Sequence, residues 1–265
     1  MLPRLFQLGH LTLPTYGAAS VLALIVALNL AMRLAPKLDL PPEKIWNLGI
    51  YTLLSGLIAS RLLMVVTHFS LFRFNPLWLL GLSPSYIPWI PWTSAAIALA
   101  VAWLYIKAED LPFRAALDVY APALTAAFLL QSLGAFLAGA NYGTPTHSSL
   151  AVTYSNNYAA LLYQTPLHIH LVPVQLYQAL ACLIILTGLL LWLPRRTQPG
   201  ELAGIWLLAY GLTVFFLDFY RGDAFTNGIF TPTQRAALAA VVLSAVLLWK
   251  RNLSTQPQPI PKLEP

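Results

Sequence analysis

Seven stretches of the chain, approximately 16–35, 46–67, 87–106, 115–139, 173–193, 203–220 and 236–249, are apolar almost throughout, with only isolated polar positions inside them. A bilayer core about 30 Å thick is spanned by about 20 apolar helical residues, so the pattern predicts an all-α polytopic membrane protein with about seven transmembrane helices. The first stretch is too long for a signal-peptide core and has no small-x-small cleavage site behind it, so it stays in the chain as a span. The last is introduced by Thr231-Pro232-Thr233-Gln234: an N-cap residue, a proline at the first helical position and a glutamine three residues after the cap. Residues 1–253 read as a single transmembrane domain, and 254–265, with four prolines, as a disordered tail. No internal repeat of fixed period is present, which speaks against an inverted-repeat transporter.

Composition narrows this further. The chain has 265 residues, 58% of them hydrophobic and only 9% charged, with a formal charge of +6. A soluble domain carries roughly 25% charged residues. The positive excess belongs to the connections between spans. Ten of the 15 Lys and Arg, among them Arg33, Lys37, Lys107, Arg195 and Lys250, fall on one set of alternate loops, and Arg4, Arg73, Arg221 and Arg235 on the other. The positive-inside rule then places the N-terminus outside and the C-terminus in the cytoplasm. No basic stripe with interleaved aromatics occurs, so nucleic acid is not an expected partner. The single cysteine, Cys182, lies within an apolar run; it offers no disulfide and no metal or redox motif.

Polar groups at membrane depth are costly and mark function, and in this topology they gather in the outer half. Arg61 stands about three quarters of the way along the second span, Asp218 and Arg221 lie one turn apart at the end of the sixth, and Tyr16 opens the first. The planar guanidinium of arginine donates a bidentate pair of hydrogen bonds to phosphate oxygens, so Arg61 and Arg221 suit a lipid headgroup. The bland alternative is an internal Arg61–Asp218 ion pair with Arg221 snorkelling to the interface. The connection from about 140 to 172 holds four tyrosines, His147, His168 and His170, and no Lys, Arg, Asp or Glu. Such a segment suits the headgroup zone, and its histidines are candidate general bases near neutral pH, against the alternative that they are merely interfacial. Asp118, at the start of the fourth span, is expected to interact with a helix N-terminus rather than with substrate.

The run Leu133-Gly134-Ala135-Phe136-Leu137-Ala138-Gly139-Ala140-Asn141-Tyr142-Gly143-Thr144-Pro145-Thr146 resembles the signature of the prolipoprotein diacylglyceryl transferases, approximately G-R-x-G-N-F-x-N-G-E-x-Y/W-G-R-P-T. Pro173-Val174-Gln175-Leu176-Tyr177-Gln178-Ala179 is similar to that family's H-P-S-Q-L-Y-E-A. Pro199-Gly200, Tyr210-Gly211, Phe216-Leu217-Asp218-Phe219-Tyr220-Arg221-Gly222-Asp223 and Phe230-Thr231-Pro232-Thr233-Gln234 follow its later segments in order. The resemblance covers nearly the whole chain and implies transfer of the diacylglyceryl group of phosphatidylglycerol to the lipobox cysteine of a prolipoprotein signal peptide, in the bacterial inner membrane, without a cofactor or metal. It implies catalytic roles for Tyr16 and Asp218, beside the histidine candidates His147, His168 and His170, and substrate binding by Arg61, Arg221, Gln175, Tyr177 and Gly143, with Asn141 a further candidate for binding as a polar group that could replace a lost one. The chain departs from the pattern at Ser132, Ala135, Ala138, Ala140 and Val214, where the family has Arg, Asn, Asn, Glu and Arg, and has no histidine at Trp92-Thr93-Ser94-Ala95. Taken alone, the small residues from Gly134 to Ala140 make a helix-packing seam. Three readings stand: the transferase, a non-catalytic relative that binds a lipid headgroup or membrane partner, and, last, a solute transporter.

Overall fold

The computed structural model describes residues 2–8, 11–67, 69, 89–223 and 229–254. Among these, eight α-helices follow one another: α1 (Thr15–Leu34), α2 (Pro42–Thr67), α3 (Ile90–Ala108), α4 (Phe113–Ala138), α5 (Asn157–Tyr163), α6 (Val174–Trp192), α7 (Glu201–Leu217) and α8 (Pro232–Ser254). Six of the described helices are long and apolar enough to cross a membrane, namely α1 to α4, α6 and α7 with their short 3-10 extensions. The seventh expected span, 236–249, lies inside the 23-residue α8. The molecule is therefore a multi-pass helical membrane protein, and side chains such as Leu99, Ile184 and Val242, exposed on these helices, are apolar because lipid is their solvent. Beyond Ser254 the expected tail lies outside the described residues, as do His10, His68 and the first residues of the third predicted span.

Two compact units are present, 31–116 and the remainder of the chain. In the first, α2 and α3 run antiparallel. Lys44 bridges Glu109 at 3.1 Å, the rings of Tyr51 and Tyr105 are 5.3 Å apart, and a Cβ at Gly56 would lie 3.2 Å from that of Ala98. Small residues let the two backbones approach, which is how helices associate when no water is available to expel.

In the other unit, the seam predicted from Gly134 onward is real. A Cβ on Gly134 would sit 2.2 Å from Ala19 Cβ, so α1 packs directly on α4 there, and Ala135, Ala138 and Ala140 are buried. Two short antiparallel sheets, which the apolar pattern did not foretell, close this end. One is the hairpin β1 (Arg4–Leu8) with β2 (Leu11–Pro14), and the other pairs β3 (Val152–Thr153) with β4 (His170–Leu171). The capping motif predicted ahead of the last helix also forms: Gln234 N donates to Thr231 Oγ1 and Thr231 N donates to Gln234 Oε1, each at 3.0 Å.

Candidate functional site

Helix α7 ends at Leu217, and one 3-10 turn (Asp218–Tyr220) carries the chain into Arg221. That turn places Asp218 and Arg221 on the same side, and Arg221 Nη1 lies 3.5 Å from Asp218 Oδ1. The guanidinium makes its better contacts elsewhere. Nε and Nη2 donate to the two oxygens of Asp223 at 3.0 and 2.9 Å, a bidentate fork of the kind arginine forms best. Asp218, buried, also accepts a hydrogen bond from the Thr231 hydroxyl, so the residue that caps α8 fixes the carboxylate at the end of α7. Burial opposes the charge on Arg221, but the hydrogen bonds to Asp223, the carboxylates of Asp223 and Asp218, and nearby Tyr16 hold its pKa above the ordinary value. Asp218 and Arg221, one turn apart, thus form an ion pair, and Asp223 joins it.

Around this cluster the unit brings aromatic and amide groups together. Tyr16, at the start of α1, accepts a hydrogen bond from Gln131 Nε2 on α4 at 3.1 Å and meets the Tyr163 ring edge-on at 6.0 Å. Burial raises the Tyr163 pKa, with a smaller contribution from Tyr16. Tyr210 stacks between Phe128 and Trp206, with ring centroids 4.7 and 5.7 Å away, and accepts from Gln178 Nε2 at 3.3 Å. Tyr142 is raised by burial and by Asp223. Asp223, Tyr142, Tyr163, Tyr210 and Gln178 were not among the candidates read from sequence. Polar residues on a bilayer-spanning helix, such as Gln178 and Tyr210, were the available signal.

The connection after α4 is tied to this cluster by backbone. Gly143 bridges to Arg221, Thr144 N donates to Tyr220 O at 2.8 Å, and Gly222 N donates to Tyr142 O at 2.9 Å. Gly143 is glycine for a steric reason, since a Cβ there would fall 2.2 Å from Val172 O. Asn141 supports the turn by taking a left-handed φ of 52°. Gln175, buried, donates to Ala140 O at 2.7 Å and to the Tyr154 hydroxyl at 3.3 Å, while its Oε1 has no partner among the described residues. Tyr154 is pushed up to about 12 by burial, against the opposing hydrogen bond from Gln175. Tyr177 stands exposed one turn along α6.

The three loop histidines are all exposed. His170 shares a 3.0 Å hydrogen bond with Thr153 Oγ1, and His168 takes a left-handed φ of 59° with its amide donating to Tyr154 O at 2.8 Å. His147 precedes both in the chain. Arg61, half-buried on α2, belongs to the unit 31–116. A polar recess of about 580 Å³ is lined by Arg4, Thr153, Ser155, Asn156, Asn157 and Tyr158, with the Arg4 guanidinium 3.8 Å from the Tyr158 ring centroid. Among the described residues no group of three or more His, Cys, Asp and Glu is arranged to hold a metal.

Comparison with known sequences assigns the chain as a whole. The sequence pattern of the family described as prolipoprotein diacylglyceryl transferase matches residues 3–250. The chain belongs to this family. It is 27% identical to the phosphatidylglycerol–prolipoprotein diacylglyceryl transferase of Clostridium tetani over 245 residues, covering 92% of this chain and 95% of that protein. The like-named protein of Gloeobacter violaceus is 26% identical over 267 residues, covering 98% and 96%. That of Acinetobacter baumannii is 26% identical over 254 residues, covering 93% and 90%. Of the five positions at which the chain departs from the signature it resembles, four are packed rather than open, and Val214 is half-buried. Ala135, Ala138 and Ala140 are buried in the α4 seam, and the Ser132 hydroxyl donates to Phe128 O at 2.7 Å, within its own helix.

Proposed function

We propose that this protein transfers the diacylglyceryl group of phosphatidylglycerol to the lipobox cysteine of a prolipoprotein, in the bacterial inner membrane, with its N-terminus outside and its C-terminus in the cytoplasm. The family match over residues 3–250 carries the reading. The cluster of Tyr16, Asp218 and Arg221 supports it, because the reaction requires a cation for the headgroup phosphate beside groups that hydrogen-bond to glycerol hydroxyls. In the reaction the acceptor thiol loses its proton to a base and its sulfur forms a C–S bond to the glyceryl carbon. The C–O bond to phosphate breaks, and glycerol phosphate leaves with the electron pair. Arg221 is proposed for the phosphate. Gln175, Tyr177, Asn141 and Gly143 are proposed to shape the binding region, and His147, His168 and His170 are the candidate bases. The enzyme's own Cys182, buried on α6, takes no part, since the thiol is the substrate's.

A second reading, a relative that binds the headgroup without transferring it, is favoured by the packed methyls of Ala135, Ala138 and Ala140 where the family carries Asn, Asn and Glu. A methyl neither donates, accepts nor carries charge. One experiment separates the two: the purified protein in phosphatidylglycerol-containing vesicles is given a lipobox peptide, and thioether formation is followed by mass spectrometry. Transfer lost in Arg221→Gln, with the fold intact, is the expected result. Binding of phosphatidylglycerol with no thioether in the wild-type protein establishes the second reading instead.

A further inference from the structure

The two carboxylates on Arg221 are not equivalent. Asp218 is inside the protein, with its side chain 1% exposed, and is fixed from a second direction by the Thr231 hydroxyl, yet it holds the guanidinium only at 3.5 Å through Nη1. Asp223 is 25% exposed and takes both of the stronger donors, Nε and Nη2, of Arg221, itself 28% exposed. The anchored acid has the weaker contact and the accessible acid has the fork. A guanidinium fork engaged through Nε and Nη2 presents the geometry that receives two oxygens of a phosphate. An anion entering from the exposed side meets Asp223 first, and Asp218 keeps Arg221 charged and oriented while Asp223 leaves.

We propose that Asp223 is a displaceable stand-in for a phosphate: it occupies the anion seat on Arg221, and a phosphate ester binds there by exchanging with it. The inference rests on the headgroup reading of Arg221 given above, and it names the residue that sets the strength of that binding. Two acids around one cation leave the cluster with an excess negative charge, which repels a phosphate until Asp223 moves out. The apparent affinity is then the affinity of the open seat multiplied by the fraction of molecules in which the seat is open. Weak occupancy at rest and selectivity for a ligand able to supply both oxygens of the fork follow from that arrangement. The partner class is a phosphomonoester or phosphodiester, either the headgroup of a phosphoglycerolipid or the free glycerol phosphate it releases.

The test is a double-mutant cycle on the full-length protein, reading binding of phosphatidylglycerol in nanodiscs of otherwise zwitterionic lipid, and of soluble glycerol phosphate in a parallel series. Asp223→Asn removes the competing charge and leaves Arg221 in place. It is expected to tighten binding about tenfold, the scale of one charge-assisted hydrogen bond. Asp223→Glu, which restores a competing carboxylate, is expected to return the affinity toward the wild-type value. In an Arg221→Gln background the gain from Asp223→Asn disappears, which separates exchange at this seat from a general loss of negative charge. Gain with the lipid, or with glycerol phosphate alone, supports the exchange and identifies which source fills the seat. Unchanged or weaker binding of both ligands by Asp223→Asn, with the thermal midpoint preserved, overturns it. So does a gain that persists without Arg221. The outcome is independent of thioether formation: a protein that transfers nothing yet binds tighter as Asp223→Asn keeps this inference and loses the transferase reading, and the reverse result does the opposite.

Discussion

Helix α7 has an arginine and a buried aspartate at each end, and the two pairs are built for different purposes. At its start, Gly200 occupies the N-cap with a φ of 94° and has no side chain to satisfy the first amides of the helix. Asp118 of α4 supplies the cap from another helix: its oxygens accept from Gly200 N at 2.7 Å and Ala203 N at 2.8 Å, and Arg196 Nε lies 3.1 Å from Oδ2. Both carboxylate oxygens are used, the side chain is fully buried, and a negative charge meets the positive end of the helix dipole. At the other end one arginine is shared by two acids, one anchored and one half-open. A pair in which both carboxylate oxygens are engaged and buried is a staple. A cation with more anions than it needs, one of them accessible, is a receptor.

The staple gives the largest expected effect. Asp118→Ala leaves Arg196 without its carboxylate and the α7 amides without their cap, and removing one partner of a buried pair costs about 3–5 kcal/mol. Loss of Asp223 from the other end is expected to cost far less, because that residue is partly solvated and Arg221 retains Asp218. Thermal or denaturant unfolding in the same detergent measures both. Equal destabilisation by Asp118→Ala and Asp223→Asn would erase the distinction between staple and receptor.

This difference explains what sequence could and could not supply. The spans were legible because a bilayer imposes long apolar runs: 115–139 was expected and Phe113–Ala138 is found, 173–193 was expected and Val174–Trp192 is found. The Thr231 cap and the small-residue seam at Gly134 were legible too, because each is a local pattern whose partner lies within a few residues or is simply another backbone. Asp118 was read as a helix-terminus residue, and it is one, but for a helix 82 residues further along the chain. Spacing carries no trace of that partner. Asp223 lies just beyond the end of a span, where a charged residue ordinarily means only solvent, and its place in the sequence carries no sign of the fork it makes with Arg221. The hairpin Arg4–Leu8 with Leu11–Pro14 was missed because its apolar residues merge with the first span.

A smaller effect sharpens the receptor end. The Thr231 hydroxyl has two duties, accepting from Gln234 N to cap α8 and donating to Asp218. Thr231→Val preserves the shape and removes both, at a cost of about 1–2 kcal/mol, the range for loss of an N-cap. Thr231→Ser keeps both and is expected to stay near the wild-type midpoint. If Asp218 is anchored as described, the Val variant also alters phosphatidylglycerol binding, since Arg221 loses its fixed counter-charge. A Val variant that is destabilised but binds normally would leave Thr231 a helix cap alone.

The smallest effect at neutral pH concerns the loop that covers the receptor end, where Tyr154 holds a buried proton. Its hydroxyl accepts from Gln175 and lies 3.4 Å from Phe136 O as a donor, and burial pushes its pKa up to about 12. A free tyrosine titrates near about 10. The folded protein therefore keeps a proton that the unfolded chain releases between these values, so the unfolded state gains from deprotonation first. The sign follows from linkage: the contribution of this group is fully present below pH of about 10, declines as pH rises toward about 12, and is constant beyond. Tyr154→Phe is expected to remove this alkaline decline while costing about 1 kcal/mol near neutrality, the worth of a hydrogen bond. Unfolding midpoints of the two proteins measured from pH 8 to 12 provide the comparison. The curves should converge and then cross as pH rises, because a shift of about two pKa units is worth more than the hydrogen bond, and curves that stay parallel would mean that Tyr154 ionises as easily in the folded loop as in water.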